Sequence, residues 1–317
     1  MRNTRATIIV AAVLLMACGG IAAQEAATET FTIQFTARIG EEAVACGVTY
    51  AGLGVGQTDV QVADFRFYVA DVRLIDADGG ETPLAFDQDG LWQYENVALL
   101  DFEDGGEGCG EGGNVALNDT VYGTAPPGEY TGVAFTLGVP FALNHQDVTA
   151  APAPLNLGAM FWSWQGGYKF ARIDLLTEAT ELPGYFIHLG STGCESASSV
   201  VAPEKACARP NRVEVRLEGF DPARDVIVAD LASLVAGVDL GDNTPEPPGC
   251  MSGPTDPDCA AVFAGFGLLL ETGVCADDDC AGQAFFRVLP DAKTAPSTTR
   301  EAGVMGGEHG SGEGHGH

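Results

Sequence analysis

Apolar and polar residues alternate strictly over several short segments of the chain. In residues 31–39, apolar side chains at the odd positions are separated by Thr, Gln and Arg at the even ones. Residues 213–217 show the same period of two, which predicts strands with one buried and one solvated face. Similar patterns predict further strands in residues 65–75, 130–137, 168–175 and 185–189.

The segments between these strands are rich in turn formers. Residues 76–80 read DADGG, which predicts a hairpin turn. Residues 230–236 alone predict a helix, and it is short. The chain contains 42 Gly and 17 Pro, as is typical of many short strands joined by loops. We therefore expect an all-β fold, a disulfide-stapled β-sandwich with long loops and few short helices, as a single domain over residues 24–290.

Cysteine usage supports export from the cytoplasm. The chain has nine cysteines, of which Cys18 precedes the predicted domain. The remaining even number favours four disulfides in an oxidising compartment. Eight cysteines allow 105 pairings, so the sequence alone leaves the connectivity open. The simplest choice pairs neighbours in sequence, Cys194 with Cys207, Cys250 with Cys259 and Cys275 with Cys280, and leaves Cys46 with Cys109. A metal cluster held by cysteines is the disfavoured alternative, because the sequence lacks close C-x-x-C pairs.

The first 23 residues have the features of a secretory signal peptide. Arg2 and Arg5 precede an almost wholly apolar segment, residues 8–16, that is too short to span a bilayer. Residues 15–18 read LMAC and resemble a lipobox, in which Cys18 would carry the lipid. Cleavage near Ala23 would instead discard Cys18, and both interpretations stay open. We expect a periplasmic protein, with anchoring to the outer membrane as a lipoprotein under the first of these two interpretations.

Charge limits the partners that the chain can bind. The formal net charge is −29 at pH 7, which argues against nucleic acid and anionic membrane surfaces. Most of these carboxylates are expected to lie on a solvated surface.

Histidine and methionine are scarce, so their positions carry information. The predicted domain contains two histidines, His145 and His188, and Met160 lies between them in sequence beside Trp162 and Trp164. If residues 160–164 form a strand, Met160 and both tryptophans share one face. Imidazole and thioether are ligands that suit copper. The competing interpretation is an aromatic core stripe with two hydrogen-bonded histidines, which is the commoner arrangement in proteins.

Other chemistry has weaker support in the sequence. Ser191 follows His188 closely and suggests part of a hydrolase triad, a pattern of low specificity. Acidic residues 277–279 do not have the spacing of an EF-hand loop.

The C-terminal residues 291–317 lose all apolar periodicity and are expected to be disordered. They end in a Gly-rich tract with His309, His315 and His317. Such a tract can bind metal weakly while remaining unfolded, so we expect an auxiliary role in metal capture.

Several motifs together resemble one protein family. They are residues 138–145 (GVPFALNH), 153–157 (APLNL), 160–170 (MFWSWQGGYKF) and 188–194 (HLGSTGC). The combination resembles the MbnP family of methanobactin-operon-associated periplasmic proteins, also called metallo-mystery pair four-Cys motif proteins. The resemblance covers roughly residues 30–290, and each motif alone would be weak.

The resemblance implies a specific chemistry. Members of this family are paired with a di-haem peroxidase-like enzyme of the MauG type. That enzyme oxidises a tryptophan of its partner to kynurenine, and the modified protein binds copper, with Cu(I) favoured. Carried over to this chain, Trp162 or Trp164 would be the modified residue, and His145 and His188 would be ligands. Met160 is a further candidate ligand from its position.

These observations predict an exported copper-binding protein, not an enzyme, that serves copper acquisition or handling. Two alternatives from other classes stay open. One is an exported, disulfide-rich structural or adhesive lipoprotein without a tightly bound metal, and the other is an exported hydrolase that uses His145 or His188.

Overall fold

A computed structural model of the chain describes residues 27–110, 112–113, 115–179, 184–243 and 248–293. The strands are β1 (Glu29–Ile39), β2 (Glu42–Ala43), β3 (Thr49–Leu53), β4 (Thr58–Asp76), β5 (Glu81–Pro83), β6 (Ala85–Phe86), β7 (Gln93–Tyr94), β8 (Val97–Asp101), β9 (Thr120–Ala125), β10 (Tyr130–Leu137), β11 (Phe161–Ser163), β12 (Gly167–Tyr168), β13 (Ala171–Leu176), β14 (Gly184–Leu189), β15 (Val213–Glu218), β16 (Val226–Asp230), β17 (Gly249–Cys250) and β18 (Phe286–Leu289). The helices are α1 (Phe141–Asn144), α2 (Leu231–Leu234) and α3 (Cys259–Gly265), with 3₁₀ turns at Gly158–Met160 and Asp278–Cys280.

Within the described residues, two large sheets face each other. One contains strands in the order β18-β16-β1-β9-β6, and the other runs β15-β10-β4-β13-β14-β17 with shorter strands added along β4. The long strand β4 organises the second sheet, because β13 pairs with its first half and β10 with its second half. A separate hairpin consists of β11 and β12.

The core lies between the two sheets and is rich in phenylalanine. Phe35 of β1 contacts Phe67 of β4 and Phe135 of β10, with ring centroids 6.1 Å and 5.5 Å apart. Phe286 of β18 closes the group at 5.0 Å from Phe135. In β1 the odd positions from Phe31 onward are buried and the even ones are partly exposed, as the alternation predicted. The predicted fold class is confirmed.

The second face of the large sheet is also covered, which the alternation did not predict. Strand β4 is buried at nearly every position between Val62 and Val69. Tyr68 packs edge-on against Tyr168, with ring centroids 5.8 Å apart, and its hydroxyl donates to the Pro154 carbonyl at 3.0 Å. The segment between β10 and β13 therefore lies over this outer face and forms a smaller core there.

The predicted strand over residues 168–175 is divided in the structure. Tyr168 ends β12, and β13 begins at Ala171. The cause is that the chain passes here from the small hairpin into the large sheet. The backbone N–H of Tyr168 bonds to the Asn144 side chain at 2.8 Å and not to a neighbouring strand.

Four disulfides join the pairs that sequence proximity favoured. They are Cys46–Cys109, Cys194–Cys207, Cys250–Cys259 and Cys275–Cys280. Each closes a loop outside the regular strands or fixes it to the sheet. In small secreted domains a disulfide typically contributes about 2–5 kcal/mol.

The helices are few and short, as expected. Helix α2 lies within the predicted segment, and Asp230 caps it by accepting a bond from the Ser233 backbone N–H at 3.3 Å. Helices α1 and α3 were not predicted. No helix among the described residues has the length and apolarity to cross a bilayer. The predicted signal peptide with Cys18 and the tail histidines His309, His315 and His317 lie outside the described residues.

Candidate metal centre

Residues 160–164 do not form the single strand that the sequence analysis assumed. Met160 ends the 3₁₀ turn, β11 covers only Phe161–Ser163, and the chain turns at Trp164. The reversal is immediate because the Gly166 backbone N–H donates to the Ser163 hydroxyl at 2.9 Å. The predicted common face of Met160 and both tryptophans is therefore wrong. The Met160 side chain is fully buried in the hydrophobic core.

Trp162 instead lines a surface pocket of about 390 Å³. Its indole lies directly over Gly190, where an added Cβ atom would come within 2.5 Å of the indole Cζ3. A glycine is thus required at position 190 for the ring to approach the sheet. The pocket is lined by Trp162, Ser163, Gln165, Gly166, Ser191, Thr192, Gly193, Cys194 and Met251.

Met251 is the methionine that lines this pocket. It follows Cys250, which pairs with Ile187 in the parallel contact between β14 and β17. The next residue, Ser252, donates to the His188 carbonyl at 2.9 Å and accepts from the Gly190 N–H at 3.1 Å. Met251 is thereby held beside the end of β14. Local sequence patterns did not indicate it, because it lies far from the tryptophans along the chain.

His188 lies in β14, two residues before Gly190, the residue over which the Trp162 indole lies. Its Nε2 atom is 2.6 Å from Asp174 Oδ1 on β13, and the ring stacks on Phe186 with 9° between the planes. The residue is 8% exposed. Burial lowers the pKa of His188, and the Asp174 carboxylate opposes this effect, so the ring is neutral near pH 7.

A buried ion network surrounds Asp174 on this outer face. Arg172 lies 2.7 Å from Asp174 and 3.2 Å from Asp64, and Asp64 also pairs with Arg66. Burial alone would raise the pKa of Asp174, but the bond from His188 and the charge of Arg172 lower it overall. The network keeps Asp174 ionised. Sequence analysis missed these residues, because alternation places them on a face that normally meets solvent.

Lys169 is a further cation beside the network. Its ammonium donates to the Ala159 carbonyl at 2.8 Å, and Arg172 reaches the same oxygen at 3.4 Å. Burial and the nearby Arg172 charge lower the pKa of Lys169 to about 8. Together the two cations fix the 3₁₀ turn that precedes Trp162.

His145, at the end of α1, is held by three groups. Its Nδ1 atom lies 3.1 Å from the Trp164 carbonyl, and Nε2 lies 3.2 Å from Asn144 Nδ2 and 3.5 Å from Cys207 Sγ. Burial lowers the pKa of His145, and the carbonyl of Trp164 partly reverses this. In the structure Trp164 thus contacts His145 through its backbone.

Two contacts connect His145 to the pocket. Asn144 Nδ2 lies 3.4 Å from the Ser191 hydroxyl, and Cys207 is bonded to Cys194. Both Ser191 and Cys194 line the pocket that contains Trp162. Although His145 and the two sulfurs lie within 4.8 Å of one another, the disulfide removes the thiolates that would bind a metal. Ser191 itself donates to the Pro210 carbonyl at 3.1 Å.

Trp162 and Met251 therefore line one pocket. His188 lies two residues before Gly190, over which the indole lies, and His145 reaches the pocket through Asn144 and the Cys194–Cys207 disulfide. The sequence profile of the MbnP family matches residues 28–252, which include the tryptophan, the methionine and both histidines. The chain belongs to the MbnP family. The resemblance inferred from the motifs is confirmed.

Comparison with solved structures supports the same family. MbnP from Methylosinus trichosporium superimposes with a TM-score of 0.74 at 34% sequence identity, and the match covers 84% of this chain and 100% of that one. No functionally curated protein matches the chain.

Proposed function

We propose that this MbnP family member is an exported protein that binds copper as Cu(I) and serves copper acquisition or handling. Its site is completed when a di-haem peroxidase-like partner of the MauG type oxidises a tryptophan to kynurenine. The observation that carries the proposal is the position of Trp162 in a pocket shared with Met251, with its indole over Gly190, two residues after His188 in sequence. Thioether and imidazole donors suit copper in its reduced state.

An unmodified indole is a poor metal ligand, because it offers only an N–H donor. The proposed modification cleaves the C2–C3 bond of the pyrrole ring and adds two oxygen atoms from peroxide or dioxygen activated by the haem partner. Hydrolysis then releases the formyl carbon as formate. The product carries an aniline nitrogen and a ketone, so the same position gains donor atoms.

Trp162 is the tryptophan that we assign to this modification. It lines the pocket and its indole lies over Gly190, whereas Trp164 stands in the turn after β11 and contacts His145 through its carbonyl. Modification of Trp162 would place new donor atoms within the pocket. Modification of Trp164 would alter a side chain that does not line it.

Met251 takes the place of Met160 as the proposed sulfur ligand. The Met160 side chain is fully buried in the hydrophobic core, while Met251 lines the pocket. His145 and His188 remain the proposed imidazole ligands, and both are neutral at pH 7 because burial lowers their pKa. Neutral imidazole is the form that binds metal.

The compartment is part of the proposal. Four disulfides are typical of proteins that fold in an oxidising environment, which fits the predicted signal peptide and a periplasmic location, with or without a lipid on Cys18. The tail histidines would then contribute weak capture of metal, with the specific site elsewhere.

Mass spectrometry tests the central step. The protein is co-expressed with the di-haem enzyme encoded beside it, and its tryptic peptides are compared with those of protein expressed alone. We expect the peptide that contains Trp162 to gain one oxygen and lose one carbon, the net change from tryptophan to kynurenine. Fragmentation assigns the change to Trp162 or Trp164.

Copper binding is then measured by competition with a Cu(I)-specific chelator. Modified protein should retain copper at chelator concentrations that strip the unmodified protein. An unchanged mass in the presence of active partner enzyme would reject the proposal, and the structural or adhesive lipoprotein would become the leading interpretation.

A further inference from the structure

Both ring nitrogens of His145 have identified partners, and these determine where its proton lies. A carbonyl oxygen can only accept, so Nδ1, at 3.1 Å from the Trp164 carbonyl, must carry the hydrogen. The Asn144 amide confirms this assignment independently. Its Oδ1 accepts from the Tyr168 N–H at 2.8 Å, which turns its NH₂ group toward His145 Nε2 at 3.2 Å. The lone pair of His145 is therefore on Nε2.

His188 has the opposite arrangement. Its Nε2 lies 2.6 Å from an Asp174 oxygen, and that carboxylate is kept ionised by Arg172 at 2.7 Å. An ionised carboxylate only accepts, so Nε2 carries the hydrogen and the lone pair is on Nδ1. No described residue makes a hydrogen bond to Nδ1 of His188.

We infer that the two histidines present opposite ring nitrogens to the metal, Nε2 from His145 and Nδ1 from His188. Asp174 is the positioning residue that sets the second of these. That the two nitrogens bind a metal rests on the proposed copper function. The two tautomers themselves follow from the hydrogen bonds alone. Fixing a ligand's tautomer through a hydrogen bond at its other nitrogen is a general device of metal sites.

The groups around His188 are consistent with this role for Asp174. Asp174 is shared between Arg172 and His188, so its carboxylate cannot rotate freely. At His145, the Asn144 amide that occupies Nε2 also lies 3.4 Å from the Ser191 hydroxyl. Metal binding would displace this amide from Nε2 while its contact with Ser191 remains.

Long-range nitrogen–proton NMR spectra of the metal-free protein test the tautomers directly. The imidazole nitrogen shifts distinguish a protonated nitrogen from one with a lone pair, and a His145→Gln variant assigns the two domain histidines. Above the pKa of both rings, we expect the proton on Nδ1 in His145 and on Nε2 in His188. The same tautomer in both residues would overturn the inference.

Copper loading separates the inference from the proposed function. In modified protein loaded with Cu(I), the shifts of His145 Nε2 and His188 Nδ1 should change most. If the tautomers are as assigned and copper perturbs neither ring, the function proposal fails while the tautomer assignment stands. If copper perturbs the other two nitrogens, the function survives and the inference is wrong.

Asp174→Asn tests the positioning role. The amide can turn its NH₂ group toward Nε2 of His188, which would move the ring proton to Nδ1, as happens when the aspartate of a catalytic triad is replaced by asparagine. We expect this tautomer change and a loss of Cu(I) affinity of about 10–100-fold.

Asp71→Asn, which replaces an ion-paired carboxylate on β4, is the matched control and should change neither the tautomer nor the affinity. Unaltered tautomer and affinity in Asp174→Asn would show that Asp174 has a structural role only. If Asp174→Asn does not fold, the spectra of the unaltered protein still decide.

Discussion

The two faces of the large sheet are built from the same strands, but around the first half of β4 they differ in chemistry. In β4, Phe65 and Phe67 point into the aromatic core, while the alternate residues Asp64 and Arg66 point outward into the ion network. All four side chains are buried. The inner face needs only apolar bulk, whereas the outer face depends on charges that balance one another. The main hydrophobic core therefore lies on one face of this sheet, and the candidate metal centre lies on the other.

A single substitution on the outer face is expected to cost as much as the loss of a large side chain from the aromatic core, but for a different reason. Asp64→Ala would leave the Arg66 guanidinium, 0% exposed in this structure, without its carboxylate. We expect the free energy of unfolding to fall by about 3–5 kcal/mol. Denaturation with urea measures this change.

A second substitution separates charge balance from packing. In Asp64→Leu/Arg66→Met both members of the hydrogen-bonded pair are removed, Arg172 retains Asp174 at 2.7 Å, and the buried Asp101 and Glu103 lose the attraction of the Arg66 charge. Stability should recover part of what Asp64→Ala loses, because a balanced ion pair contributes little beyond an apolar pair of similar volume. On the inner face, Phe67→Ala should cost about 3–5 kcal/mol through the cavity that it creates. A double variant as unstable as Asp64→Ala would contradict this contrast.

The next largest effect concerns copper and compares the two tryptophans. Trp162→Phe, produced with the partner enzyme, is expected to weaken Cu(I) binding by at least about 100-fold, or roughly 2.7 kcal/mol, because the pocket would lack the modified side chain. Trp164→Phe retains the backbone carbonyl that bonds to His145 and should bind copper nearly as well as the parent. Chelator competition measures both affinities. Equal losses in the two variants would remove the distinction drawn from the pocket.

The methionines provide a smaller and more specific comparison. Met251→Leu should reduce Cu(I) affinity by about tenfold, roughly 1.4 kcal/mol, because the leucine has no donor atom. Met160→Leu conserves volume in the core, so we expect unchanged affinity and a stability change below about 1.5 kcal/mol. If Met160→Leu is the variant that loses copper, the original sequence-based choice of ligand was right.

Much of the fold was predictable from sequence, because inner-face residues such as Phe31, Ile33 and Phe35 show a period of two that the core enforces. The candidate site was predictable only in part. Trp162 and His188 were identified from local motifs. Asp174 was missed because a cover from another part of the chain buries it, and Met251 because a disulfide loop carries it to the pocket. The local pattern of apolar and polar residues reveals neither of these contacts between distant parts of the chain.

The smallest predicted effect is the pH dependence of stability, and it compares the histidine on the sheet with the one in the loops. Burial lowers the pKa of both His145 and His188. As pH falls below about 6.5, the unfolded chain takes up protons at these residues before the folded protein does. Their contribution is therefore complete above that pH and decreases toward the folded pKa, by at most about 1.4 kcal/mol per pH unit for each residue.

A His145→Gln variant sharpens this last comparison. It removes the loop histidine but leaves the His188 pair with Asp174 intact, so the loss of stability between about pH 6.5 and pH 5 should become smaller without disappearing. Urea unfolding at several pH values measures the slope. A slope unchanged from the parent would mean that His145 titrates in the folded protein as it does in the unfolded chain. Its contacts with Trp164 and Asn144 would then not hold the ring neutral.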